Sequence, residues 1–189
     1  MESKGINEAF IGNGKLLAGL SSKGELLRIA YPSVDFRQNL NFFHVGIRVN
    51  ESNIIYLHDD INNHYTQEYI ENTNILSTNI ENSYFNIEIN QIDFVKISED
   101  LIIRQYTLKN NNTIDMDVNF LIHSELTSGQ NNPVSGVVFE DSLLQYTYDY
   151  TFAIFSDKKI NSKQIHNTKE NIVDGVIFRK RLYRNDKWF

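Results

Sequence analysis

Apolar and polar residues alternate along most of this chain, and no other feature restricts its fold as strongly. A strand places successive side chains on opposite faces, so a period of two marks a strand with one buried face. The alternation is clearest in Phe43–Val49 and in Ile114–Ile122. Ala, the strongest helix former, occurs only four times in 189 residues. We therefore predict an all-β fold with little helix.

Turns rich in glycine and asparagine separate these alternating runs. The segment Phe10–Asp35 predicts two short strands joined by a glycine turn and ended by Pro32. Asn110–Asn112 predicts a hairpin between the strands on either side of it. Many short strands at this spacing are typical of an antiparallel two-sheet β-sandwich, which we expect over residues 1–178.

Two runs depart from simple alternation. The apolar parity changes after Ile89, which predicts a bulge or a turn near Asn90–Gln91. The run from Leu144 to Ile154 keeps one parity but is long for a single strand, so we expect a bend or a tight turn near Tyr148–Asp149.

Three tyrosines of that run share its parity: Tyr146, Tyr148 and Tyr150. An exposed row of this kind can stack against sugar rings, whereas a buried row is part of the core. The apolar neighbours of the same parity favour the buried alternative.

Charge and cysteine content exclude several classes of function. The net charge is −6, which does not favour nucleic acid as a partner. Residues 179–189 hold five basic residues and one acid, and we interpret this basic C-terminal tail as a strand edge or as the start of a linker. The chain has no cysteine, which excludes disulfides, thiolate catalysis and cysteine-based zinc sites.

The N-terminal residues lack the apolar core of a signal peptide, and no apolar run reaches membrane-spanning length. We therefore expect a cytoplasmic protein that needs neither a membrane nor a cofactor.

Neighbouring carboxylates are the first candidates for chemistry, because glycoside hydrolysis uses two of them. The pairs are Asp59 with Asp60, Glu99 with Asp100, and Asp115 with Asp117. Their positions in loops or on a polar strand face favour solvated charges, so we predict no catalytic pair. We also expect no metal site at His58–Asp60, because consecutive residues rarely converge on one ion.

His123 and Glu125 form a sharper candidate. They are two residues apart and therefore share one face of a strand. With His44 or His64 nearby, they can carry out acid–base chemistry on a sugar ring. The simpler alternative is a surface histidine beside an ordinary acid.

The opening of the chain also resembles a known family, the glucoamylase-like proteins of glycoside hydrolase family 15. The similarity lies in four segments near the N-terminus, followed by two later strands: Ile11–Gly14, Leu16–Ala18, Gly24–Leu27 and Tyr31–Asp35, then Phe43–Ile47 and Phe152–Ser156.

This resemblance implies a supersandwich of the kind found in mutarotases, packed against an α/α-barrel that hydrolyses α-glucosidic bonds with two glutamates. The barrel and its glutamates have no counterpart here, so the resemblance implies a non-catalytic N-terminal domain, with an α-glucan oligosaccharide as a further partner. We expect Tyr31, Pro32 and Asp35 to meet the catalytic domain near its substrate. A structural corner held by Tyr31 is an equal alternative.

Two other functions stay open: a free-standing sugar-binding module, and a mutarotase-like sugar epimerase that uses His123 and Glu125.

Overall fold

The structure is a computed structural model. It describes residues 6–35, 38–126, 135–146 and 150–162 in full, and of the remainder it describes the backbone of 163–167, 172–182 and 187–188.

All regular structure in these residues is β-strand, as the alternation predicts. The strands are β1 (Ala9–Gly12), β2 (Leu17–Leu20), β3 (Leu26–Ala30), β4 (Leu40–Val49), β5 (Ile55–Tyr56), β6 (Asn63–Tyr69), β7 (Leu76–Asn82), β8 (Ile87–Val95), β9 (Ile102–Asn110), β10 (Met116–Leu126), β11 (Ser135–Phe139), β12 (Ser142–Tyr146), β13 (Thr151–Ile154), β14 (Ser162–Asn167), β15 (Ile172–Leu182) and β16 (Lys187–Trp188). No helix in the described part of the chain has the length and apolar character needed to cross a bilayer.

Two five-stranded antiparallel sheets form the sandwich. Their strand orders are β14-β15-β10-β4-β5 and β16-β9-β8-β7-β6. One cluster of buried side chains joins the two sheets, with Val45 and Ile47 from β4 and Val118 from β10 meeting Ile89 from β8 and Leu108 from β9. Burial of these aliphatic groups is the main force that holds the layers together.

Two three-stranded sheets accompany the sandwich, β1-β2-β3 and β11-β12-β13. The N-terminal sheet has its own core, where Ile11, Leu20 and Ile29 pack against Leu76 and Leu126 of the large sheets. The prediction of two strands in Phe10–Asp35 was therefore wrong. The segment contains two turns rather than one, and a third strand, β1, precedes the first of them.

The expected hairpin at Asn110–Asn112 was also wrong. β9 pairs with β8 and β10 pairs with β4, so the asparagines connect the two large sheets. The side chain of Asn110 donates to the carbonyl of Ile114, and that of Asn112 donates to the carbonyl of Phe85. These residues stabilise a crossover because their amides satisfy loop carbonyls.

No bulge interrupts β8 near Asn90–Gln91, which corrects a further prediction. Its register with β7 and β9 is continuous, and Gln91 and Asp93 simply continue the buried face of Ile87 and Ile89. The apparent change of parity has another cause, since two polar side chains occupy core positions where they find hydrogen-bond partners.

The run from Leu144 to Ile154 divides into β12 and β13, which pair as antiparallel neighbours. The expected bend or tight turn at Tyr148–Asp149 lies outside the described residues. The buried side chains of β12 are Leu143 and Gln145, and Tyr146 is exposed, so the prediction that this parity is buried was wrong for β12.

The expected domain boundary at residue 178 falls inside β15. The division of the chain into a sandwich and a tail stays a prediction.

Candidate functional site

A polar surface lies on the side of β4 and β10 that faces away from the core. The two strands are antiparallel neighbours, and His44 is the register partner of His123. On the other edge of β4, Tyr56 of β5 is the partner of Gly46 and so shares the same side of the sheet. The alternation that buries Val45 and its neighbours thus brings two histidines and a tyrosine together.

His123 is held by a hydrogen bond between its Nδ1 and the hydroxyl of Tyr56, 3.0 Å away. Partial burial and the nearby His44 lower the pKa of His123. The imidazole therefore favours its neutral form at neutral pH, in which one ring nitrogen can accept a proton.

The second predicted residue, Glu125, lies on the same side of β10, and its register partner is Phe42. The side-chain amide of Asn41 donates to the Glu125 carboxylate at 3.0 Å. Of the two histidines expected near this pair, the structure brings His44 close. His64 is exposed on β6 in the other large sheet, where it lines a polar cleft of about 540 Å³.

Three residues far apart in sequence form a cluster beside His123. Glu25 lies in the β2–β3 turn, His44 on β4 and His58 just after β5. One carboxylate oxygen of Glu25 is 3.4 Å from Nε2 of His44 and 3.6 Å from Nε2 of His58. The two imidazole rings are 4.7 Å apart between centroids.

Electrostatics within this cluster favour the ionised form of Glu25. Burial alone raises the pKa of Glu25, but the contact with His44 and the electrostatic interactions with His58, His44 and Arg104 lower it overall. Burial is also the largest influence on His58 and lowers its pKa.

Glu25 is fixed by the turn that carries it. Its backbone N–H donates to the Ser21 hydroxyl at 3.1 Å, and the carbonyl of Gly24 accepts hydrogen bonds from Arg104 and Gln91 of the opposite sheet. Gly24 has a φ of +76°, and a Cβ at this position would lie 2.9 Å from the Gln91 amide. Only glycine adopts this positive φ freely and leaves room for the Gln91 side chain without a shift of the surrounding atoms.

A buried ion pair anchors the same turn. Arg104 Nε donates to Asp93 at 2.7 Å, and the two side chains are 8% and 0% exposed. The guanidinium also lies over the rings of Phe43 and Tyr106. The buried polar residues of β8 and β9 thus connect the sandwich interior to Glu25.

The predicted loop residues lie elsewhere, at the edge of the N-terminal sheet. The Tyr31 hydroxyl donates to Asp100 at 2.9 Å, and its ring meets Tyr150 edge-on with centroids 6.4 Å apart. Pro32 and Asp35 are exposed. Tyr31 is therefore fixed to the sandwich, while Pro32 and Asp35 face solvent.

The remaining sequence candidates are placed as follows. Asp60 accepts hydrogen bonds from Asn62 within its own turn, and Asp117 is exposed on β10. Of the tyrosine row, Tyr146 is exposed and Tyr148 lies outside the described residues.

Sequence reasoning named His44 and His58 separately and missed Glu25 and Tyr56. Their spacing in sequence carries no signal, because only the pairing of β4 with β5 and the fold of the β2–β3 turn bring them together.

Comparison with known proteins relates the chain to a glycosyl hydrolase. It is 34% identical over 162 residues to an uncharacterized glycosyl hydrolase of Methanocaldococcus jannaschii. The match covers 83% of this chain but only 25% of that relative, so the chain spans about a quarter of its length. No protein-family model matches the chain.

Proposed function

We propose that this chain is the non-catalytic N-terminal domain of a glucoamylase-like α-glucan hydrolase, which supports an α/α-barrel catalytic domain. The observation that carries this proposal is the match to one quarter of a much longer glycosyl hydrolase. The family resemblance of the opening residues agrees with it, since in that family the hydrolysis belongs to the barrel.

The segment from Tyr31 to Asp35 is the proposed contact with the barrel. Pro32 and Asp35 are exposed, and the Tyr31–Asp100 hydrogen bond anchors the segment at its first residue. An anchored loop with an exposed carboxylate suits recognition better than a freely moving one, because less conformational freedom is lost on contact.

The first experiment measures glucose release from maltooligosaccharides by the purified chain. We expect no turnover, whereas a protein that carries both this domain and the barrel releases glucose. Robust turnover by the isolated chain contradicts the proposal.

The second experiment tests the interface in that longer protein. Asp35→Ala is expected to reduce glucoside turnover or the melting temperature of the longer protein, while the isolated domain melts unchanged. Glu71→Ala, which removes another exposed carboxylate in the β6–β7 turn, is the matched control. Equal effects of both variants on the longer protein contradict a role for Asp35 at the interface.

A second candidate function is favoured by the Tyr56–His123 hydrogen bond and by the shared face of His123 and Glu125. In this mutarotase-like reaction, one group takes the proton of the anomeric hydroxyl and the other gives a proton to the ring oxygen. The bond between C1 and the ring oxygen breaks, and the open aldehyde recloses on either face.

Polarimetry with glucose or galactose tests this second candidate. We expect faster mutarotation with the native chain and a loss of at least about 100-fold in His123→Ala, a magnitude typical of general acid–base catalysis. His64→Ala is the control, because His64 lies on the other sheet. A rate unchanged by His123→Ala contradicts the candidate.

A further inference from the structure

We propose that Glu25, His44 and His58 bind one divalent transition-metal ion of the zinc type. This site goes beyond the proposed function and does not depend on it. It also differs from the metal site that the sequence led us to dismiss, because its three ligands come from three separate parts of the chain.

The spacing of the donor atoms fits such an ion. The two distances from the Glu25 oxygen, 3.4 and 3.6 Å, match the ligand–ligand separation of about 3.3 Å that follows from metal–ligand bonds of about 2.0–2.1 Å in tetrahedral geometry. One donor atom from each of the three residues lies within 4.8 Å of the others. Both distances exceed the roughly 2.7–3.2 Å of an N–H···O hydrogen bond.

The chemistry of the donors agrees with this geometry. Two imidazoles and one carboxylate are a common set for zinc, and imidazole favours Zn²⁺, Cu²⁺ and Ni²⁺ over Ca²⁺ or Mg²⁺. The donor set and its spacing therefore point to the same class of ion.

Two of the three ligands, Glu25 and His44, are held in place before any ion arrives. Glu25 is fixed through the hydrogen bonds of Ser21 and Gly24, and His44 lies in the middle of a ten-residue strand. Ligands on rigid elements lose little freedom on binding. The ion would link the β2–β3 turn to the five-stranded sheet.

The site is accessible to an ion from solvent but partly shielded. The side chains of His44, Glu25 and His58 are 33%, 20% and 17% exposed. The positive charge of Arg104 behind Glu25 is balanced by Asp93, so it does not oppose a cation on its own. Tyr56, whose ring centroid is 5.6 Å from that of His44, is hydrogen-bonded to His123 and is not one of the proposed ligands.

Equilibrium dialysis of the full chain against Zn²⁺ tests the proposal, with any affinity tag removed and prior metal stripped by a chelator. We expect one Zn²⁺ per chain and, with Co²⁺ as a probe, the visible absorption of a four-coordinate ion. Glu25→Gln, His44→Gln and His58→Gln should each weaken Zn²⁺ binding by more than the roughly 10–100-fold loss typical of outer-shell partners. His64→Gln, which removes an exposed histidine from the other sheet, should leave the affinity unchanged.

Melting of each variant without metal checks that it folds. Of the three ligand variants, His44→Gln should disturb folding least, since the His44 side chain is the most exposed of the three. In folded variants the melting temperature should rise with Zn²⁺ only in the native chain and in the control. Less than about 0.2 ion per chain, or binding that survives in all three ligand variants, overturns the proposal. Because the readout is the bound ion, the result is independent of any glucan or sugar turnover.

Discussion

Replacement of Asp93 by asparagine is the sharpest test of how the interior of the sandwich is held. Asp93 and Arg104 are register partners on β8 and β9, joined at 2.7 Å with almost no exposure. Asp93→Asn keeps the size and shape of the side chain but leaves the guanidinium charge unpaired inside the protein. Arg104 stays protonated, because its pKa lies far above neutral pH.

Loss of one partner from a buried ion pair costs about 3–5 kcal/mol. That is a large share of the roughly 5–15 kcal/mol by which such domains are stable. The double variant Asp93→Asn with Arg104→Met removes both charges, so it should be more stable than Asp93→Asn alone even though Gly24 loses one donor.

Urea unfolding followed by circular dichroism measures both effects, and equal slopes with denaturant show that the variants unfold to comparable states. A loss below about 1 kcal/mol in Asp93→Asn refutes the assignment of the pair as a main support of the interior. A double variant less stable than the single one refutes the reasoning that the unpaired charge is the cause.

Three further predictions concern the turns, the core and the site. Gly14→Ala should cost about 1–2 kcal/mol for its φ of +92° alone, and Gly24→Ala should cost more, because its Cβ also meets a buried side chain; urea unfolding compares the two. Ile80→Ala should lose about 2–5 kcal/mol in the same assay, whereas Ile61→Ala, at 97% exposure, should change stability by less than about 0.5 kcal/mol. In chelator-treated protein, an NMR titration should give His123 a pKa below its ordinary 6.5. Because the unfolded chain then binds this proton more readily than the folded protein does, the free energy of unfolding should fall as the pH drops from about 7 to 5.

The strands themselves could be predicted from the sequence because alternation reports burial directly. Phe43–Val49 and Met116–Ile122 follow it closely, since apolar residues occupy the core face and polar residues the other. The prediction failed where polar residues are buried. On β8, Gln91 and Asp93 occupy core positions, and only the Gly24 carbonyl and the Arg104 guanidinium that pair with them make this arrangement stable.

Connections were less predictable than strands. The sequence Asn110–Asn112 is a turn signal, but it does not say whether the chain returns to the same sheet or crosses to the other one. That choice depends on which strands pair over long distances, and local residues do not record it.

The candidate site likewise has one part that could be predicted from the sequence and one that could not. His123 and Glu125 could be placed on one face because they are two residues apart in one strand. The cluster of Glu25 with His58 could not, because it depends on the conformation of a turn fixed by a buried arginine from another sheet.

The position of β10 has a consequence for synthesis on the ribosome. β10 lies between β4 and β15 in its sheet. β4 precedes β10 in the chain, but β15, which pairs with the other edge of β10, is synthesised some fifty residues after it. At about 5–20 residues per second, the nascent chain leaves that edge unpaired for several seconds. An unpaired edge with a buried face such as Val118 and Phe120 readily recruits strands from other chains. Ribosomes stalled between β10 and β15 should therefore carry an aggregation-prone nascent chain, and chaperones that bind exposed strands should be needed most in that interval.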